Sequence, residues 1–509
     1  MKLIKPFLTI SSFTFVSKFL GFLRDIFIAA IVGAGVIADV FFVAFKLPNF
    51  FRRLFAEGAF SAAFIPLFSS ILKNKGKSKA LNFGSEVFSL LFFILFFVII
   101  IFEFFMPLLV YFLAPGFGND PEKLNLLIQL SRITFPYLFF ISLVSLYTGV
   151  LNSFNKFAIG SAAPIILNLT FIVFVFSFED TFVTKGHMLS WAVFFAGVFQ
   201  LIFLIFGIYK NNLQIFFKKP KLSENINKLF KLIIPGAIGA GVIQINLLID
   251  IVLASFLPTG SISYLYYAER INQLPIALIG VAFGTALLPT LSKQISSNQN
   301  LKVFKTQNRA IEFSFLLALP ASLAIFILAE IIIGSLFERG EFLSEDTILS
   351  AKALQAFAIG IPAYVLVKIL SPIYFSRQNT STPVKIAIFC VLINFLLNII
   401  LMQFFQHVGI ALATAISSWI NCYLLFYFLM QKNQIKFDKL IKIRFKKILI
   451  INLIFLFSVF YFKDFMKIFS NFEFLNLSIF ILICIIFYIF LIYIFKFFLF
   501  SNFKPFKLN

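Results

Sequence analysis

Apolar stretches recur along the chain, and polar residues interrupt them only briefly. Residues 87–102, 448–462 and 474–495, taken with their flanks, are long enough as helices to cross about 30 Å of hydrocarbon. Read end to end, the pattern predicts an all-α, polytopic membrane protein of about fourteen transmembrane helices. The first two fall at 7–32 and 38–70, the eighth at 262–292, and the last two at 446–462 and 476–499. The opening "MKLIKPFLTISSFTFVSKFLGF" has no small-residue cleavage site after a short apolar core, so it reads as the first helix.

Two signals organise these spans. Basic residues gather in alternate loops: Lys73, Lys75, Lys77 and Lys79, then Lys210, Lys218, Lys219 and Lys221, then Lys302, Lys305 and Arg309. Arg377 and the cluster from Lys432 to Lys447, which includes Arg444, continue the series. The intervening loops are short or acidic, with Asp120, Glu122, Glu179, Asp180, Glu338, Glu341, Glu345 and Asp346. The positive-inside rule puts the basic set, and both termini, in the cytoplasm. The second signal is a weak internal repeat. "AFIPLFS" (63–69) returns as "ALLPTLS" (286–292), and Pro136 and Asn168 return as Pro362 and Asn394 at nearly the same offset. Six spans separate equivalent points, which implies parallel repeats about an axis along the membrane normal. The expected organisation is an N-lobe at 1–220, a C-lobe at 221–432, and a helix pair at 433–509 outside the repeat.

Composition sets aside the soluble class: 61% of residues are hydrophobic and 13% charged, against about 25% charged in soluble domains. The net charge of +22 follows the loop topology and not a nucleic-acid footprint. Cys390, Cys422 and Cys484 lie in apolar segments without a CxxC or Cys/His cluster, so neither metal, cofactor nor disulfide is expected.

The spans nevertheless contain ionisable side chains. Span 1 carries Lys18, Arg24 and Asp25; span 2 carries Asp39, Lys46, Arg52, Arg53 and Glu57; span 8 carries Glu269 and Arg270. Each costs about 2.5–3.5 kcal/mol at a membrane-helix centre on insertion scales, so each needs a partner, water or a ligand. At helical spacing Asp39, Lys46, Arg53 and Glu57 form one stripe with Asn49 alongside, and Lys18, Gly21 and Asp25 form another. Pairing of Arg53 with Glu57, and of Arg24 with Asp25 or Asp39, would neutralise some of them. Cations still outnumber carboxylates, which suits a ligand carrying negative charge, and the planar fork of arginine suits phosphate. Pro48, Gly58 and Pro275 would let these helices bend.

"SKFLGFLRD", "GAGVIADVFFVAFKLPNFFRRLFAEGAFSAAFIPLF" and "YYAERINQLPIALIGVAFGTALLPTLSK" closely resemble the MurJ (MviN) lipid II flippases of the multidrug/oligosaccharidyl-lipid/polysaccharide exporter superfamily. The resemblance implies two six-helix lobes around a central cavity. It also implies movement of the undecaprenyl-diphosphate-linked peptidoglycan precursor from the cytoplasmic to the periplasmic leaflet by alternating access. It assigns substrate contacts to Arg24, Asp25, Asp39, Arg52, Glu57 and Arg270, and a lipid-tail groove to 446–499; the span charges add Lys18 and Arg53 to the candidate substrate-binding residues. Position 18 departs from the family: it is usually arginine, and here it is lysine. The expected partners are lipid II and membrane lipids, around a monomer in the bacterial inner membrane.

The closest rivals are a flippase for another polyprenyl-linked glycan and a cation-coupled exporter; the latter would want a surplus of carboxylates. A membrane-embedded enzyme would need an acid/base or metal constellation. His187 and His407 lie at span ends and supply none, so no enzymatic activity is expected.

Overall fold

The helices follow from the apolar runs, and their ends follow from local chemistry. The structure, a computed structural model, describes residues 4–53, 60–178, 180–220, 222–437, 441–464 and 473–495. Among them the regular elements are helical. Two compact units divide the chain: Met1–Ser263 with Arg339–Phe342, and Tyr264–Glu338 with Leu343–Asn509.

The first unit holds α1 (Ile4–Val32), α2 (Val36–Phe51), α3 (Ser61–Phe104), α4 (Met106–Leu113), α5 (Pro121–Thr134), α6 (Tyr137–Ser153), α7 (Phe157–Ser177), α8 (Lys185–Lys210) and α9 (Glu224–Ala254). Polar residues at helix starts act as caps: Asp120 accepts from the Lys123 N–H, Thr184 from that of His187, and Ser223 from that of Ile226. Gly76, at φ 83°, breaks α3 in the middle of its lysine-rich stretch, a conformation glycine adopts without Cβ penalty. The break separates the ends of predicted spans 2 and 3. α1 packs on α7, α7 on α8, and α6 on α3 and α8.

α9 follows the expected N-lobe segment. It packs on α3 and α4 and belongs to the first unit. The segment leading into it is tied to α3: the N–H groups of Phe216 and Lys218 donate to the hydroxyls of Ser85 and Ser89, and Ser223 donates to Glu86. Hydroxyls one helical turn apart thus satisfy a backbone that would otherwise lack partners in an apolar setting.

The second unit holds most of α10 (Ser261–Pro275), then α11 (Ala282–Ser296), α12 (Asn300–Phe337), α13 (Ser344–Phe375), α14 (Ser381–Gln431), α15 (Ile441–Phe462) and α16 (Glu473–Ile494). Pro275 cannot donate a backbone hydrogen bond, and beyond it the chain widens into a π-helical turn, Ile276–Val281. α14 is broken at Gln406, φ 50°, which separates predicted spans 11 and 12. α13 packs between α12 and α14, while α15 and α16 pack on α12. Arg444 and Glu312 form a buried ion pair between α15 and α12, with Nη1 2.8 Å from Oε1. Arg444 reads from sequence as part of a cytoplasmic basic cluster; it and Glu312 are both buried.

Among the described residues ten helical stretches are long and apolar enough to cross a membrane, and two of these contain the breaks at Gly76 and Gln406. The packing is inside-out relative to a soluble protein. Phe97, Phe104, Phe457 and Ile486 are exposed, whereas Ser89, Ser131, Ser190 and Gln200 are buried. Lipid replaces water as the solvent for the apolar surface, and polar groups must find partners within the bundle.

Candidate functional site

In α1, Arg24 and Asp25 are both buried, at 6% and 2% exposure. Adjacent positions on a helix point about 100° apart, yet the long guanidinium folds back. Its Nε and Nη2 donate to Asp25 Oδ1 at 3.1 and 2.7 Å. Nη1 donates to Oδ1 of Asn168 on α7 at 3.1 Å, and Asn168 Nδ2 donates to the Ser17 carbonyl at 2.8 Å. Phe171 lies one turn along α7, its ring centroid 5.2 Å from the guanidinium carbon. Gly21 leaves room for this cross-link, since a Cβ there would lie 3.4 Å from Asn168. The sequence alternative of an Arg24–Asp25 pair is thus realised, with Asn168 as an added partner.

In α2, Asp39 is fully enclosed. Its Oδ2 accepts from the Gly260 N–H at 2.7 Å, and its Oδ1 from the Ser263 N–H and hydroxyl at 2.9 and 2.7 Å. Lys123 Nζ lies 3.8 Å from Oδ2 and 4.0 Å from the Phe117 ring centroid. Gly260 and Ser263 flank the start of α10, where N–H groups lack intrahelical acceptors, so the Asp39 carboxylate acts as a cap supplied by another helix. Of the partner, water or ligand that a charge in a span needs, Asp39 thus has buried protein partners.

The stripe fails further along. The helix widens to a π-type turn at Arg52–Arg53, so α-helical spacing no longer predicts which side chains align. Arg53 is exposed, and Lys46 is half-buried. Glu57, its expected pairing with Arg53, and Gly58 lie outside the described residues. Lys18 is exposed on α1.

Arg52 is half-buried, and its Nε donates to Asn49 Oδ1 at 3.0 Å. Both line a cavity of about 340 Å³ inside the first unit, and Asn168 lines it too. The partner of Arg24 and the Arg52 side chain therefore face one space. In the second unit Arg270 is half-buried beside Tyr266, donating from Nη2 to the phenol oxygen at 2.6 Å. Its guanidinium carbon lies 4.5 Å from the Tyr266 ring centroid.

Sequence reasoning used Asn168 only as a repeat marker and passed over Lys123 and Tyr266. A lone amide in "PIILNLTFIVF" was the available signal for Asn168; Lys123, in "NDPEKLN", looked like a loop residue. The repeat-equivalent Asn394 has no arginine partner; it bonds Thr414 and Asn398 instead. Among the described residues no group of His, Cys, Asp or Glu is arranged to hold a metal ion.

Residues 28–495 match the family described as "Lipid II flippase MurJ". A probable lipid II flippase MurJ of Rhizobium tropici is 41% identical over 442 residues, 86% of this chain and 83% of that protein. Its counterpart in Rickettsia prowazekii is 39% identical over 450 residues, 88% of each. A solved lipid II flippase MurJ in an inward closed conformation has a TM-score of 0.81 at 31% identity, covering 97% of this chain and 100% of that one. An inward-facing MATE family transporter, at a TM-score of 0.68 and 15% identity over 84% of this chain and 97% of its own, shares the fold. By sequence and by structure, then, the chain belongs to the MurJ family of lipid II flippases.

Proposed function

We propose that this protein is a lipid II flippase that carries the undecaprenyl-diphosphate-linked precursor from the cytoplasmic to the periplasmic leaflet by alternating access. The observation that carries this reading, beside family membership, is a cation at a cavity within helices that are otherwise apolar: Arg52 lines the space, and so does Asn168, the partner of the buried Arg24. A hydrated anion site accounts for the insertion cost of these cations.

In this reading Arg24, Arg52 and Arg270 attract the diphosphate, with Lys18 and Arg53 adding positive field. Asp25, Asp39 and Glu57 orient cations or hold helices around them. The repeat halves at 1–220 and 221–432 move about the substrate, and the pair at 433–509 shelters the polyprenyl tail. The protein is a multi-pass monomer of the inner membrane with both termini cytoplasmic, and it transports without making or breaking bonds.

The test is complementation of a conditional lipid II flippase mutant, with leaflet accessibility of the precursor as readout. The wild-type chain should restore growth and outward accessibility. The triple variant Arg24→Ala, Arg52→Ala, Arg270→Ala, at equal membrane abundance, should restore neither. Growth supported by the triple variant would sink the shared anion site, and failure of the wild type would sink the function.

A further inference from the structure

The cavity in the first unit has more polar wall than a diphosphate requires. Besides Asn49, Arg52 and Asn168 it is lined by Tyr137, Thr148 and Gln200. Several of these groups are held in position by bonds of their own. Gln200 Nε2 donates to the Ala163 carbonyl at 2.9 Å, and its Oε1 accepts from the Tyr137 hydroxyl at 3.3 Å. Ser61 and Ser145, also at the wall, share a hydrogen bond at 3.1 Å. Such pinned side chains form a pre-organised surface, not a set of mobile ones. The lining also includes apolar side chains, among them Val144, Pro164 and Leu167.

The chemistry narrows the occupant. An alkyl chain would strip water from the hydroxyls and amides without replacing their hydrogen bonds, at a cost for each group left bare. A metal ion would need anionic ligands, whereas among the described residues the only charged side chain lining the cavity is a cation, Arg52. A pyranose ring matches this mixed lining: its hydroxyls suit the fixed donors and acceptors, and its C–H groups suit side chains such as Pro164 and Leu167. The volume of about 340 Å³ is at the small end of the 300–1,000 Å³ typical of small-molecule sites. It admits part of a glycan headgroup and excludes the whole.

We propose that this cavity is a carbohydrate subsite that receives a pyranose of the transported glycolipid, with Arg52 at the end where the sugar joins its diphosphate. The proposal rests on the flippase reading above and specifies where in the first unit the glycan is recognised. Thr148 is the informative residue. Its methyl carbon packs so closely on α7 that a Cβ at Gly160 would lie 2.6 Å from it, so valine would keep the shape and lose only the hydroxyl.

The experiment measures binding of two probes, lipid II and undecaprenyl diphosphate, to the purified full-length protein. Thr148→Val should weaken lipid II binding about three- to ten-fold, as expected for one lost hydrogen bond, and leave undecaprenyl diphosphate unchanged. Leu167→Phe, which adds bulk to the cavity lining, should weaken lipid II about ten-fold or more and again spare the sugar-free lipid. Both variants should melt like the wild type without lipid. Wild-type affinity of both variants for lipid II would overturn the subsite, as would parallel loss of both probes. A wild-type protein that binds neither lipid would instead overturn the flippase reading beneath it.

Discussion

Ser263 gives both its backbone N–H and its hydroxyl to one oxygen of Asp39, at 2.9 and 2.7 Å. With Gly260 on the other oxygen and Lys123 at 3.8 Å, the carboxylate ties α2 to the start of α10 and to α5. Removing Asp39 strands several buried donors at once, whereas removing the Ser263 hydroxyl loses one bond of the set. Asp39→Ala should therefore lower stability by about 1.5–3 kcal/mol or more, and Ser263→Ala by about 0.5–1.5 kcal/mol. Thermal unfolding in detergent reads both. An Asp39→Ala protein that melts like wild type would remove the structural role given to this cluster.

Arg24 offers its fork to two acceptors that do not share a direction, Asp25 on its own helix and Asn168 on α7. A lysine ammonium is a point charge and cannot span both. Arg24→Lys should keep membrane abundance yet reduce precursor flipping in vesicles about ten-fold, the loss of one charge-assisted bond. Asn168→Ala should fall in the same direction by freeing the guanidinium from its partner on α7. Flipping at the wild-type rate in Arg24→Lys would mean that charge alone matters at position 24.

Glu312 and Arg444 form the buried charge pair that fastens α15 to α12. Breaking one side leaves an uncompensated buried charge, so Glu312→Gln or Arg444→Met should cost about 3–5 kcal/mol. Replacing both with leucine should recover most of that loss. Melting curves of the singles and the double decide it: a double variant as unstable as either single would show that more than this pair is lost.

The basic loops make an orientation test simple. On a background lacking Cys390, Cys422 and Cys484, Lys77→Cys should resist an impermeant thiol reagent in intact cells, and Glu345→Cys should react. Labelling of position 77 from outside would invert the topology.

Lys18, the one departure from the family pattern, is exposed on α1. If it supplies only positive field, Lys18→Arg should be neutral for precursor binding, Lys18→Ala weaker, and Lys18→Glu weaker still. Equal binding by the Glu and Lys forms would remove Lys18 from the substrate path.

Much of this molecule could be read from the chain alone, and the division has a physical basis. Insertion into hydrocarbon is a local requirement, so each span announces itself through its own apolar run. Helix caps such as Asp120 and Thr184, and the break at Gly76, are equally local, set by residues within one turn of where they act. The sequence also identified which charges would be costly to bury, because that cost belongs to the residue and its span.

What offsets the cost is not local. Asp39 finds Gly260 and Ser263, Arg24 finds Asn168, and Glu312 finds Arg444, each across well over a hundred residues. Helical periodicity assigns a side chain to a face but does not say which helix will cover that face. At Arg52 even the face was lost, because a π-type turn changes the number of residues per turn. The sequence by itself determined that this chain is a bundle of membrane helices with charges it must shelter. Only tertiary packing decided which of those charges are caps, which are clasps, and which line a cavity.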